Sequence, residues 1–328
     1  MKSYKFQIKI SVISIIIISV FIYSFSNKKS GPSSTSGKTT TSLEGTISMS
    51  GAFALYPLAV KWGEEFKRLH PNVKFDISAG GAGKGISDVL GGLVDLAMVS
   101  RDLYPEEIKK GAYPVSATKD AVVATANASN PNIKEILAKG MKKDAFTNIF
   151  STGLYKNWKQ AGFSVSAPIH AYTRSDAAGA AESWAKYFGK KQEDLQGIGV
   201  YGDPGLLQAV KKDPIGIGYN NIGYAYDIKS KKQQAGIIVI PIDINGNGKL
   251  DPDENVYGTI DEIVKAISAG KYPSPPAREL FFVSKNKPQK KIVSEFLKWV
   301  LTDGQKFVEE AGFVGLPQEK LQDNLKKF

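Results

Sequence analysis

Residues 172–184 read Y-T-R-S-D-A-A-G-A-A-E-S-W. The stretch opens extended, turns polar at Arg174, Ser175 and Asp176, and becomes small and helix-prone from Ala177. Asp176 suits an N-cap, so residues 177–180 are expected to form the first turn of a helix. The free amides of such a turn point along the axis, and the helix dipole favours an anion there. Arg174 adds a guanidinium that can grip an oxyanion with two donors. An ordinary capped helix reads the same way, so this stretch does not decide the matter alone.

Residues 78–88, S-A-G-G-A-G-K-G-I-S-D, bring a second turn of the same kind. They follow an alternating strand, V-K-F-D-I at 73–77, and precede a helix expected over 86–93. Four glycines within residues 80–85 let the backbone approach a ligand closely. The six-residue spacing ending in Gly-Lys-Ser/Thr is absent, which excludes the nucleotide-binding lysine loop. Two strand-to-helix turns suited to anions say more together than either does alone.

Outward from these turns the chain alternates. Strands are expected at 45–49, 73–77, 93–99 and 120–126, with a helix over 58–69 that carries Trp62 and Phe66 on one face. This alternation predicts an α/β fold with a parallel, helix-covered sheet, in which ligands bind beyond the carboxyl ends of the strands. The loops at Ser50, Gly80 and Ser100 all lie at such ends. The chain of 328 residues suits two domains. Domain 1 is placed at 45–124 plus 275–328, and domain 2 at 125–274. The return strand runs over 278–284, and closing helices over 288–301 and 303–311 carry Trp299 and Phe307. Two chain crossings make a hinge around a central anion cleft.

The formal charge of +11 invites a nucleic-acid reading. Residues 1–44 hold six lysines and one glutamate, so +5 of it belongs to the tail, and no basic block follows. No nucleic acid is therefore expected as a partner. The chain has no cysteine, which removes disulfides, thiolate metal sites and cysteine nucleophiles. With His70 and His170 alone, a multi-histidine metal site is not expected either. Lys2, Lys5 and Lys9 precede an apolar run at 10–25, so residues 1–26 read as a signal peptide or a membrane anchor. Residues 27–44 read as a flexible tether. The folded part is thus expected outside the cytoplasm, secreted or tethered to the outer face of the membrane.

Together these residues resemble the phosphate-binding component of ABC transporters, a substrate-binding protein of the type 2 periplasmic-binding-protein-like family. The resemblance rests on residues 50–58, on A-G-G-A-G-K-G-I at 79–86, on D-L-A-M-V-S-R at 95–101 and on residues 174–180, with support from 215–226 and 299–307. It implies that Ala52, Phe53 and Ala54 of the first loop, Ala82 of the glycine loop, and Ser100 after the third strand surround the anion. It further implies Arg174 with Ala178, Gly179 and Ala180 of the helix turn. Arg101 and Lys84 either add positive charge to the site or are solvated. The chain departs from the family where serine or threonine hydroxyls are usual: Phe53 or Ala54, Ala82, Ala178 and Ala180 stand there, and each removes a donor while leaving a backbone amide. The usual proton-accepting carboxylate is replaced by Ser100-Arg101. Asp102 and Asp176 are expected to pair with Arg101 and Arg174, so discrimination among oxyanions is expected to be weak.

Residues 243–254, D-I-N-G-N-G-K-L-D-P-D-E, form a third constellation. Asp243, Asn245, Asn247, Asp251 and Glu254 fall at positions 1, 3, 5, 9 and 12 of an EF-hand-like loop, with Gly248 at position 6 and the carbonyl of Lys249 at position 7. A structural Ca2+ is expected, while a plain Asn/Gly turn shares the composition.

The function expected from all this is capture of an oxyanion, inorganic phosphate before sulfate, molybdate or tungstate, and delivery to an ABC permease, without catalysis. Two other classes compete. An enzyme acting on phosphoryl or acyl groups lacks a G-x-S-x-G elbow or any recognisable triad. A surface adhesion protein has only the tether and the calcium-type loop in its favour.

Overall fold

The computed structural model describes residues 43–328. The targeting segment expected at 1–26 and nearly all of the tether at 27–44 lie outside the described residues. Among the described residues, no helix is long and apolar enough to cross a membrane.

The first lobe begins with β1 (Gly45–Gly51), α1 (Tyr56–Leu69), β2 (Val73–Ala79), α2 (Ala82–Leu90), β3 (Leu96–Val99) and α3 (Pro105–Lys109). The long strand β4 (Ala112–Asn127) then carries the chain out. The second lobe holds α4 (Ile133–Lys139), β5 (Met141–Lys142), α5 (Lys143–Phe150), β6 (His170–Arg174), α6 (Gly179–Tyr187), β7 (Ile198–Val200) and α7 (Gly202–Lys212). It continues with β8 (Gly216–Asn221), α8 (Ile222–Ala225), β9 (Ile237–Val239), β10 (Ile242–Asp243) and α9 (Ile260–Ser268). The chain returns along β11 (Ala277–Lys285) and ends with α10 (Lys291–Val300) and α11 (Gln318–Leu325).

The main sheet has the order β2-β1-β3-β11-β4-β8-β6-β7, with β9 on β4, while β5 and β10 pair separately. β1 is parallel to β2 and β3, and β6 is parallel to β7 and β8. The sheet is nevertheless mixed, not parallel throughout as the alternation suggested. β4 and β11 run antiparallel to each other and to their neighbours, because each crosses between the lobes. β4 can serve both lobes because its 16 residues are rich in Ala, Val and Thr and largely buried.

Each lobe has its own core. Trp62, Phe66, Phe282, Phe296 and Trp299 pack in the first, and Phe146, Phe150, Trp158, Trp184 and Tyr219 in the second. Membership changes between Ala117 and Ala121 on β4 and between Ala277 and Leu280 on β11. The directly opposed pair Asp120 and Arg278 lies at this crossing.

Several elements start or stop elsewhere than the sequence suggested. α2 begins at Ala82, because Gly81 (φ +90°) turns the chain and makes the glycine stretch itself the first helical turn. Gly85 has to lack a side chain: a Cβ there would meet Gly51 Cα and the Ser50 carbonyl at 2.8 Å. The helix expected over 303–311 shrinks to a 3-10 turn, Asp303–Phe307. There the Gly304 carbonyl accepts from Trp62 Nε1 at 2.8 Å, and Gln305 Nε2 donates to the Val300 and Ala117 carbonyls.

Candidate functional site: an anion pocket between the lobes

The carboxyl ends of β1, β2 and β3 face the N-terminus of α6, and a small pocket lies where they meet. It is lined by Ala52, Phe53 and Ala54 from the first loop, Gly81 and Ala82 from the glycine turn, and Ser100 after β3. From the second lobe come Arg174, Ala178, Gly179, Ala180, Asp203 and Asn221. Nine of the ten ligand residues expected from sequence are thus brought together; Arg101 is not.

The polar surface of this pocket is mostly backbone. The amides of Phe53, Ala54, Ala82, Gly179 and Ala180 have no acceptor among the described residues. Two other amides are taken: Ala52 donates to the Met98 carbonyl at 2.7 Å, and Ala178 to Gln192 Oε1 at 3.0 Å. α2 and α6 both start at the pocket, so their unpaired N–H groups and dipoles favour negative charge. The alanines at 82, 178 and 180 contribute no hydroxyl.

Asp176 is not the helix cap that the sequence suggested. Ala178 stays extended (φ −116°, ψ 129°), and the helix starts at Gly179. Asp176 instead forks onto Arg174, accepting from Nε at 2.8 Å and Nη2 at 2.5 Å, and from the Gly202 amide at 3.1 Å. Arg174 Nη1 donates to Asp203 Oδ2 at 2.5 Å. The Arg174 side chain is 2% exposed and that of Asp203 1%. Burial works against the guanidinium charge, but Asp203 and Asp176 outweigh it and hold the arginine pKa above its usual value. Phe53 lies over this guanidinium at 5.3 Å, with the Tyr201 edge against its own ring.

Asp203 is a lining group that the sequence reading missed, along with Asn221 and Gly81. It sits in the first turn of α7, after the short strand β7. The available signal was Y-G-D-P-G at 201–205, a third strand-to-helix turn with a carboxylate in it. Asn221 fixes Asp203 by donating to Oδ1 from Nδ2 at 2.7 Å and from its amide at 3.3 Å. Asn221 Oδ1 in turn accepts from Arg278 Nη2, and Arg278 pairs with Asp120 at 3.2 Å. A continuous buried polar chain therefore runs from the pocket to the strand crossing.

The lobes meet closely here. The Gly83 amide donates to the Ala177 carbonyl at 3.1 Å, Tyr224 Oη to the Phe53 carbonyl at 3.3 Å, and Lys186 pairs with Asp102 at 2.6 Å. Closed in this way, the pocket between the lobes is small.

The remaining charges face elsewhere. Arg101 forks onto Glu107 at 2.6 and 2.9 Å and stacks on Tyr104, beside a separate groove of about 1570 Å³. Asp102 pairs with Lys186, and Arg101 reaches only its backbone carbonyl, against the expected Asp102–Arg101 pair. Lys84 is half-exposed and paired with Asp88.

In the 243–254 loop, Asp243 accepts from the Gly246 and Gly248 amides at 2.7 and 2.9 Å, and Glu254 from those of Ile244 and Asn245 at 2.9 and 3.0 Å. Asp251 Oδ2 accepts from the amide groups of Asn245 and Asn247, both at 2.8 Å, and Asn247 Oδ1 accepts from the Lys249 backbone. The loop thus closes on itself, and among the described residues no three acidic or histidine side chains converge as metal ligands.

Comparison with known proteins places this geometry. The PBP superfamily domain matches residues 34–304. The chain is 27% identical over 298 residues to the phosphate-binding protein PstS of Staphylococcus epidermidis, spanning 87% of this chain and 84% of that one. With its namesake from Bacillus subtilis it shares 32% identity over 206 residues, 62% of this chain and 65% of that one. Among solved structures, a putative phosphate ABC transporter substrate-binding protein from Clostridium perfringens superposes with a TM-score of 0.67 at 22% identity, covering 83% of this chain and all of that one. An ABC-type phosphate transport receptor from Vibrio cholerae gives 0.61 at 18%, with the same coverage. The two-lobed fold is therefore shared with these receptors, and the chain belongs to the PBP superfamily.

Proposed function

We propose that this protein is an extracytoplasmic solute-binding protein that captures an oxyanion, inorganic phosphate first, and delivers it to an ABC permease. The observation that carries this reading is the convergence of five unpaired amides, two helix N-termini and Arg174 on one pocket between two lobes. Relatives covering most of the chain are named phosphate-binding proteins, which favours phosphate among the oxyanions. Capture is closure of the lobes on the anion and involves no covalent step. The lysine-flanked apolar run near the N-terminus exports the protein and either is cleaved or holds it at the membrane. The 243–254 loop binds a structural Ca2+ by exchanging its internal amide contacts for the metal; the spacing of its oxygen ligands supports this. Isothermal titration against phosphate, sulfate, molybdate and tungstate tests the central reading. Phosphate binding is expected, and binding of none of the four refutes it.

A further inference from the structure

Six side chains form one hydrogen-bonded or ion-paired chain: Asp176, Arg174, Asp203, Asn221, Arg278 and Asp120. Three are carboxylates and two are guanidinium groups, and the charged side chains are at most 8% exposed. With all of them ionised, the chain carries one net negative charge before any ligand arrives. Arg174 is the basic residue lining the pocket among the described residues, and it is already held by two carboxylates. An oxyanion entering this buried site would meet an uncompensated negative charge, which burial makes costly. The five unpaired amides and two helix N-termini offset part of this, and a positive charge entering with the anion offsets the rest. No second basic side chain lines the pocket among the described residues to supply it. A proton from solvent can.

The chain has a place for that proton. Asp120 Oδ1 lies 3.2 Å from Arg278 Nε in their ion pair, but no hydrogen bond forms between them, and neither these atoms nor Arg278 Nη1 has any other hydrogen-bond partner. The Asp120 oxygen is thus underused as an acceptor and able to carry hydrogen. Burial pushes Asp120 up to about 7; Arg278 opposes the rise and Asp203 adds to it. The groups facing these carboxylates are Arg174 and Asp176 at the end of β6, Asn221 and Tyr219 of β8, Tyr224 of α8, and Arg278 of β11 with Tyr272 near it. The tyrosines do not titrate near neutrality, since burial raises all three, Tyr219 to about 12. Resting on the oxyanion reading above, we propose that the site captures its anion together with one proton from solvent, held by the Asp203–Asn221–Arg278–Asp120 chain while the lobes are closed.

The test is titration of the whole protein with inorganic phosphate at pH 8.5, and separately with sulfate, each in two buffers of different ionisation enthalpy. Wild type should take up about one proton per phosphate bound, and its affinity should fall about tenfold per pH unit from 8 to 9. Asp120→Asn is isosteric, does not line the pocket and removes the excess charge. It should reduce the uptake to less than half and flatten the pH slope, and Asp203→Asn gives the same readout from the other end of the chain. Wild-type binding with no proton uptake overturns the proposal. Full uptake persisting in both variants also overturns it, because the proton then travels on the ligand. Absence of binding by any oxyanion between pH 6 and 9 is the different failure, that of the oxyanion reading itself.

Discussion

Replacing Gly179 by Ala should block closure while leaving both lobes folded. Gly179 opens α6 in the second lobe and sits against Ser100 of the first. A Cβ there would lie 2.2 Å from Ser100 Oγ and 2.4 Å from the Ser100 carbonyl oxygen. The hydroxyl can rotate away, but the carbonyl belongs to the backbone. Ordinary contact begins near 3.4 Å, so the lobes must part by about 1 Å. The cross-lobe bond from Gly83 to the Ala177 carbonyl, now 3.1 Å, would then exceed hydrogen-bond range. An anion held by amides of both lobes would lose at least one charge-assisted bond, a loss of about 1.5–3 kcal/mol, or roughly 10- to 150-fold in affinity. Isothermal titration with phosphate measures this, and thermal melting checks the fold. A Kd within threefold of wild type would show that the observed closure is not the binding state.

Three further outcomes follow from the same geometry. Arg174→Ala should abolish anion binding and also lower stability in urea by about 3–5 kcal/mol, because Asp176 and Asp203 would remain buried without their partner; an unchanged midpoint would contradict the network. Asp120, raised to about 7, binds its proton more tightly folded than unfolded, so its contribution is fully present below about pH 4 and is lost as pH rises to about 7. Urea denaturation of Asp120→Asn should therefore show a smaller loss of stability between pH 5 and 8 than wild type, and parallel profiles would refute this. Calcium should raise the melting temperature, and Asp243→Ala with Glu254→Ala should erase the gain; identical melting in calcium and chelator would leave the loop a turn.

The turns that build the pocket were legible because their chemistry is local. Glycines at 80–85 and the arginine followed by small residues at 174–180 declare close backbone approach and helix starts within a few positions. Their exact boundaries were not legible. Asp176 reads as a cap by composition, but the buried Arg174 beside it is a stronger partner than an amide, so the helix begins later. Arg101 reads as a ligand charge because it follows Ser100, yet Glu107, six residues on, turns it away. Asp203 lies 29 residues from Arg174, and only the parallel pairing of β6 with β7 brings the two together. The mixed sheet escaped for the same reason: β4 and β11 look like any buried strands, and their antiparallel pairing is a long-range fact.

The central claim is that an oxyanion sits between the start of α6 and the loops of the first lobe. Arsenate carries protons as phosphate does and scatters anomalously, so a crystal grown with it locates the anion directly. The account predicts one strong anomalous peak within hydrogen-bond reach of the Gly179 and Ala180 amides and of the Phe53–Ala54 turn, beside Arg174. A peak outside this pocket, in the groove beside Arg101 for example, or no bound arsenate at saturating concentration, would contradict it.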